Sequence, residues 1–264
     1  MSPLPRCLAV LVLALLAGRA AAQSVISLST VIGSPGTDAA TVAGAGNAVN
    51  HVGFALNSGA TVLTAAGSTG SASFDFNTGF TDSLDRAVGS NPNSGSAHVF
   101  ADRKYDSGST APLVLDTDGD NVFSEGALTG FGMHGDGFVT FDLAVIRANH
   151  GLAADTAFVL TGSAGIANTV ITPTSGAILI DGAQLAVFDW TSGAGNTVSS
   201  YTLSLGGSVR YLTFAGLTGT DGDNFYAHVG FGNVQLTAVP EPATAALFAL
   251  GLGLLTRRFR RAAV

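Results

Sequence analysis

Hydrophobic and polar residues alternate along most of the middle of this chain. In SASFDFNTG, Phe74 and Phe76 fall on one face and Asp75 and Asn77 on the other, and FVTFDLAVI sets Phe138, Thr140 and Asp142 against Val139, Phe141 and Leu143. A period of two marks a half-buried strand, because successive side chains leave opposite faces of the backbone. SYTLSL, VRYLTFAGL and AHVGFGNVQLTAV repeat the pattern. AILIDGAQLAVFDW divides into two apolar runs at Asp181-Gly182, a hairpin signal, since these residues accept the left-handed backbone of a tight turn. Gly, Asn, Asp and Ser separate the segments, and no stretch of the body offers a long amphipathic helix. The pattern predicts an all-β body, a β-sandwich or jelly roll.

Charge narrows the partners. Only 11% of the 264 residues are charged, against about 25% in an ordinary soluble protein. Residues 23–238 hold 5 basic and 17 acidic side chains, a formal charge of −12. A phosphate backbone would be repelled by such a body, which excludes nucleic acid as a partner.

Both ends read as addresses rather than as parts of the body. Arg6, an apolar run from Cys7 onward and small residues at Ala20 and Ala22 describe a secretory signal peptide over residues 1–22, cut before Gln23, with a buried first helix as the alternative. Cys7, the only cysteine, leaves with that segment, so the mature chain has no disulfide, thiolate catalysis or Cys-ligated zinc. Residues 239–264 contain Pro240 and Pro242, then an uncharged apolar stretch over 243–256, then Arg257, Arg258, Arg260 and Arg261. At about 1.5 Å per residue that stretch covers about 21 Å of helix, short of a hydrocarbon core of about 30 Å. A basic cluster after an apolar run stays cytoplasmic, so this is a marginal membrane anchor.

Pro240-Glu241-Pro242, the Leu/Ala/Gly-rich helix and the arginine cluster, in that order at the C-terminus, resemble the PEP-CTERM sorting signal of Gram-negative bacteria. The resemblance implies recognition by an exosortase, transient residence in the inner membrane, cleavage near Pro-Glu-Pro, and delivery to the cell surface or extracellular matrix. A simple tail anchor is the alternative.

A second resemblance covers residues 105–238. PLVL, GFGMHGDGFVTFDL, GLAADTAFVLTGSAGI, GAILIDGAQLAVFDWTSG and VRYLTFAGLTGTDGDNFYAHVGFGNVQL come in the order and approximate spacing of the NPCBM domain. That family of carbohydrate-binding modules accompanies glycoside hydrolases and has a galactose-binding-domain-like jelly roll. Gly132 and His134 match its Gly-x-x-His pattern, and Asp221, Gly222, Asp223 and His228 match its DG-rich loop and histidine. The acid before the histidine is here Ala227 and the expected Trp is Phe231. The resemblance implies a jelly roll with extracellular polysaccharide as partner. Residues 23–104 are a β-rich region that either completes the same sandwich or precedes it, with GSNPNSGS as the best linker.

Candidate chemistry is sparse. DTDGDNVFSEG places Asp116, Asp118, Asp120 and Glu125 close together, hard oxygen donors that could hold Ca2+, although Asn121 and Ala127 stand where an EF-hand needs Gly and Glu. The competing reading is a turn, and the string TDGDN recurs at 220–224. Trp190 and Tyr226 are candidate sugar platforms, with Asp189, Asn224 and Arg210 as hydrogen-bonding partners and His134 and His228 beside them. A Trp at this position can equally cover the end of the sandwich, and both histidines can equally be structural. Among His51, His98, His134, His150 and His228 there is no i,i+4 pair, no Gly-x-Ser-x-Gly elbow occurs, and Glu125 is the body's only Glu. The reading is therefore a non-enzymatic, exported carbohydrate binder that needs no cofactor. A purely structural envelope or biofilm protein is the alternative, and a diverged hydrolase the third.

Overall fold

A computed structural model describes residues 24–44, 46–54, 72–75, 79–82, 90–91, 95–96, 99–104, 111–134, 137–167, 174–181, 183–190, 195, 197–218 and 228–239. Strand β1 (Val25–Ser27) runs into a short helix, α1 (Leu28–Ile32), and a 3-10 turn at Ala39–Thr41. Next come β2 (Val49–Phe54), then β3 (Ala72–Asp75) paired with β4 (Gly79–Asp82), and β5 (Ser90–Asn91) paired with β6 (Gly95–Ser96). The remaining elements are β7 (Val99–Ala101), β8 (Gly130–His134), β9 (Gly137–Asp142), helix α2 (Leu143–Asn149), β10 (Phe158–Ile166), β11 (Thr174–Ile180), β12 (Ala183–Trp190), β13 (Ser199–Leu205), β14 (Tyr211–Thr218) and β15 (His228–Ala238).

Two antiparallel sheets face each other across the core. One has the order β13-β10-β15-β8-β7, with β1 pairing the last part of β15; the other runs β12-β11-β14-β9-β2. The body is thus the all-β sandwich that the alternation predicts. Residues before 105 enter both sheets, as β1 pairs β15, β7 pairs β8 and β2 pairs β9.

Phenylalanine joins the layers. Phe131 and Phe231 come from one sheet and Phe141 and Phe214 from the other, all fully buried. Phe214 meets Phe131 at 5.1 Å and 77°, Phe231 at 5.0 Å and 67°, and Phe141 at 6.1 Å and 86°. These are edge-to-face contacts, which place the positive ring edge against a negative ring face.

The strand expected through FVTFDLAVI is shorter than its alternation indicates. β9 stops at Asp142, whose carboxylate accepts from the backbone N–H of Ala144 and Val145 and so caps α2. Capping satisfies orphan donors of the first turn, and Leu143 and Ile146, spaced three apart, then share one buried helical face.

A second apolar layer lies on the outer face of the six-stranded sheet. Leu113, Leu115 and Ala167 are buried there, with Leu128 and Val198 against them. Glycines make the room. A Cβ on Gly230 would sit 2.5 Å from Leu115 Cδ2 and 2.8 Å from Leu113 Cδ1, and one on Gly232 would sit 2.7 Å from Leu128 Cδ1. This packing carries the 111–128 segment across the sheet and delivers the acidic DTDGDN string to the end where β10 finishes, with Asp116 N–H reaching the Ile166 carbonyl at 3.4 Å.

Candidate functional site

Strand register divides the candidate residues between the two ends of the sandwich. Thr174 of β11 lies opposite both Trp190 and Thr218, while Tyr211, at the other end of β14, lies opposite Asp142. At about 3.4 Å per residue, the length of β14 separates the two ends by about 24 Å. Trp190 and Asp189 belong to the first end and Arg210 to the second. His228 opens β15 opposite His134 of β8, and its carbonyl accepts from Ala167 N–H at 3.0 Å where β10 ends. The acidic loop reaches this first end too, since Gly195 N–H donates to the Gly119 carbonyl at 2.6 Å. Tyr226, Asn224 and the second TDGDN string lie outside the described residues, between the end of β14 and the start of β15.

Trp190 is not an open platform. Its side chain is only 4% exposed, stacks on Phe188 at 6.3 Å and 20°, and lies close over Gly176, where a Cβ would meet the indole at 3.1 Å. The indole N–H points to the Thr197 carbonyl at 3.4 Å. The ring is buried against Phe188 and Gly176, which are register partners on neighbouring strands. Asp189, next in line, is exposed, and its Oδ1 accepts from the Ser175 hydroxyl across the strand pair at 2.6 Å. This pair presents hydroxyl and carboxylate groups to solvent. His228 is 8% exposed.

The acidic loop folds around its own carboxylates. Asp116, 1% exposed, accepts from Gly119 N–H at 2.7 Å and from Asn121 N–H at 2.9 Å. Asp118 accepts from Asp120 N–H at 3.2 Å, and Asp120 from Val122 N–H at 2.7 Å. Gly119 (φ 80°) and Asn121 (φ 62°) take left-handed conformations that these residue types tolerate. One oxygen from each of the three aspartates lies within 4.8 Å of the others, a spread that fits oxygens about 2.3–2.6 Å from one Ca2+. Glu125 stands outside that trio. Its Oε1 accepts from Thr117 N–H at 2.7 Å and closes the base of the loop, while its Oε2 is buried without a hydrogen bond among the described residues. The sequence expectation of four converging acids thus becomes three plus a staple.

Arg210 serves the opposite end. Its side chain is 60% exposed, and its guanidinium pairs with buried Asp142 at 3.2 Å and lies 4.8 Å over the Tyr211 ring. The Asp142 carboxylate raises the Arg210 pKa above its ordinary value by stabilising the charged form. Asp181 accepts from the backbone N–H groups of Arg210 and Tyr211 at 3.1 and 2.8 Å, tying the β11–β12 hairpin to β14. Buried Arg147, not singled out by sequence spacing, donates to the carbonyls of Thr156 (2.8 Å) and Val209 (3.0 Å). Burial lowers its pKa despite Asp142, Asp155 and Asp181 nearby. These groups fasten helix and loops; Arg210 is not grouped with Trp190 and Asp189.

No curated protein matches the chain. Among solved structures, a CBM51 module of Clostridium perfringens GH95 in complex with methyl-galactose aligns at 15% identity and a TM-score of 0.41, over 55% of this chain and 91% of that one. CBM51-2 with the INT domains of C. perfringens ZmpB, in complex with GlcNAc, aligns at 14% identity and a TM-score of 0.41, over 54% and 28%. Tandem CBM51 modules of a family 98 glycoside hydrolase from Streptococcus pneumoniae align at 14% identity and a TM-score of 0.43, over 57% and 43%; this chain spans less than half the length of these last two. Among the described residues, no helix is long and apolar enough to cross a membrane, and the signal-peptide segment and residues 240–264 lie outside them. Residues 238–262 match the PEP-CTERM protein-sorting motif, so the chain carries this signal, which takes in Pro240, Glu241, Pro242, Arg257, Arg258, Arg260 and Arg261.

Proposed function

We propose that this chain is an exosortase-sorted protein delivered to the surface or extracellular matrix of a Gram-negative cell, where its sandwich binds polysaccharide without catalysis. The sorting motif at residues 238–262 supports the delivery. For binding, the observation that carries the reading is the polar end of the sandwich. The exposed Ser175–Asp189 pair and the acidic loop lie at the end where β14 stops and β15 starts. In the sequence Tyr226 and Asn224 fall between those strands, so an aromatic face and planar amide can join hydroxyl and carboxylate groups in recognising a sugar. The resemblance of residues 105–238 to the NPCBM domain points the same way. The acidic loop carries a Ca2+ expectation, the ion stiffening that end through Asp116, Asp118 and Asp120; millimolar Ca2+ then raises the melting temperature, and Asp118→Asn with Asp120→Asn removes the rise.

The test is glycan-array binding of the purified chain, lost in Tyr226→Ala and Asp189→Ala variants that keep the wild-type melting temperature. A folded protein that binds no glycan refutes the reading. It would leave the purely structural envelope role, which the burial of Trp190 favours because the body's sole tryptophan is spent on packing.

A further inference from the structure

The two strand orders end in β13 and β7 and in β12 and β2, and the last three of these are blunted. β7 is overlaid by the segment before it, with Gly36 N–H on the Ala101 carbonyl at 2.7 Å, Ala101 N–H on the Thr37 carbonyl at 2.9 Å, and a bridge from Asp38 to Phe100. β2 is met at Val49 by Gly44 N–H, 3.1 Å from its carbonyl, and packs against the Ala39–Thr41 turn and β4. β12 bulges where its register against β11 shifts between Ile178 and Leu179, and it carries the charge of Asp189 near its end. A bulge, a charge or a covering segment is how an edge strand avoids pairing with another chain.

Among the described residues, β13 has none of these. Its seven residues, SSYTLSL, contain no charge and no proline, and they pair with β10 in unbroken register from Ser199 to Leu205. Among the described residues β10 is its only strand partner, and Ser200, Thr202 and Ser204 are exposed on its outer face. An edge of this kind offers a row of backbone donors and acceptors to a further strand.

The sequence of β13 identifies the occupant. Its outward residues read Ser-x-Thr-x-Ser, symmetric about Thr202. We propose that β13 is a docking edge for β13 of a second copy of this chain, antiparallel about a two-fold axis at Thr202. That register sets Thr202 opposite Thr202, Ser200 opposite Ser204 and Tyr201 opposite Leu203 of the second copy. The hydroxyls of Ser200, Thr202 and Ser204 stay on the outer face, and Tyr201, Leu203 and Leu205 stay on the core face. The hydroxyl row continues the one already present in the sheet, where Thr161 lies opposite Thr202 and Ser163 Oγ is 3.5 Å from Ser200 Oγ. Cross-strand hydroxyl pairs of this type stabilise a sheet. Charge selects the same edge, because two bodies of formal charge −12 repel each other except where a strip without carboxylates lets them approach.

The test uses the full-length chain in a Cys7→Ser background. Sedimentation velocity over a concentration series is expected to show a monomer–dimer equilibrium. Thr202→Lys, which sets two ammonium groups opposite each other at an exposed position, raises the dissociation constant about tenfold or more without lowering the melting temperature. Directly opposed residues have Cα atoms about 4.5–5.5 Å apart, within disulfide range. Mild oxidation of Thr202→Cys is therefore expected to give a covalent dimer, whereas Ser208→Cys, exposed beyond the strand, gives little. A chain monomeric at every concentration, a dimer indifferent to Thr202→Lys, or equal cross-linking of the two cysteine variants each overturns the proposal. None of these readouts depends on whether the other end of the sandwich binds sugar.

Discussion

Replacing Gly230 with alanine adds one methyl group where the structure has no room for it. The new Cβ would stand 2.5 Å from Leu115 Cδ2, 2.8 Å from Leu113 Cδ1 and 3.2 Å from Ala167 Cβ. Both leucines are fully buried, so neither can swing aside without displacing a neighbour. Overpacking of this kind costs about 1–3 kcal/mol. A body of this size loses about 2–4 °C of melting temperature per kcal/mol, so Gly230→Ala is expected to melt about 2–12 °C lower by differential scanning fluorimetry. Leu115→Ala alone removes buried methyl groups and costs about 2–5 kcal/mol. In the double variant the alanine at 230 occupies space that Leu115 has vacated, so the combined loss falls short of the sum of the single losses by a measurable coupling. A Gly230→Ala protein as stable as wild type, or strict additivity in the double variant, would refute the claim that glycines in β15 seat the 111–128 segment and with it the acidic loop.

Three further outcomes follow from individual contacts. The Tyr201 hydroxyl is buried with no hydrogen-bond partner among the described residues, so Tyr201→Phe should leave stability unchanged or raise it by about 1 kcal/mol in urea denaturation. Burial raises the Tyr201 pKa far above its ordinary value of 10.0; the folded state therefore holds the neutral phenol, and wild type should lose stability relative to Tyr201→Phe as pH rises past about 10, with no difference of this origin below it. Asp142→Ala strips the cap of α2 and a buried carboxylate, for a loss of about 2–4 kcal/mol, while Arg210→Ala removes a mostly exposed partner and costs about 1 kcal/mol or less in the same assay.

The strands around the core were legible in the sequence because period-two alternation reports directly on which face is buried. SYTLSL buries alternate positions as its pattern implies, whereas FVTF and YLTF are buried on both faces, with Thr140 and Thr213 hydroxyls 2.8 Å apart on the face that alternation alone assigns to solvent. α2 was hidden because Asp142 completes the alternation of β9 while also serving as a helix cap. An Asp followed by apolar residues at Leu143 and Ile146 was the signal that could have separated the two. The outer layer had a trace as well, in the glycines of HVGFGN, which leave alternate positions of β15 bare on the face that Leu113, Leu115 and Leu128 cover. The site was less legible, because residue type says nothing about which end of a strand a side chain occupies. Composition groups Trp190 with Arg210, whereas the register of β14 sets them at opposite ends, and Trp190 is buried against Phe188 and Gly176.

The most direct measurement is calorimetric titration of an array-identified oligosaccharide into wild type, Asp189→Ala and Arg210→Ala proteins. Binding at the end that holds Ser175 and Asp189 predicts a heat signal that Asp189→Ala weakens about tenfold or more and that Arg210→Ala leaves intact. Loss of binding in Arg210→Ala with retention in Asp189→Ala would place the site at the wrong end and contradict the account.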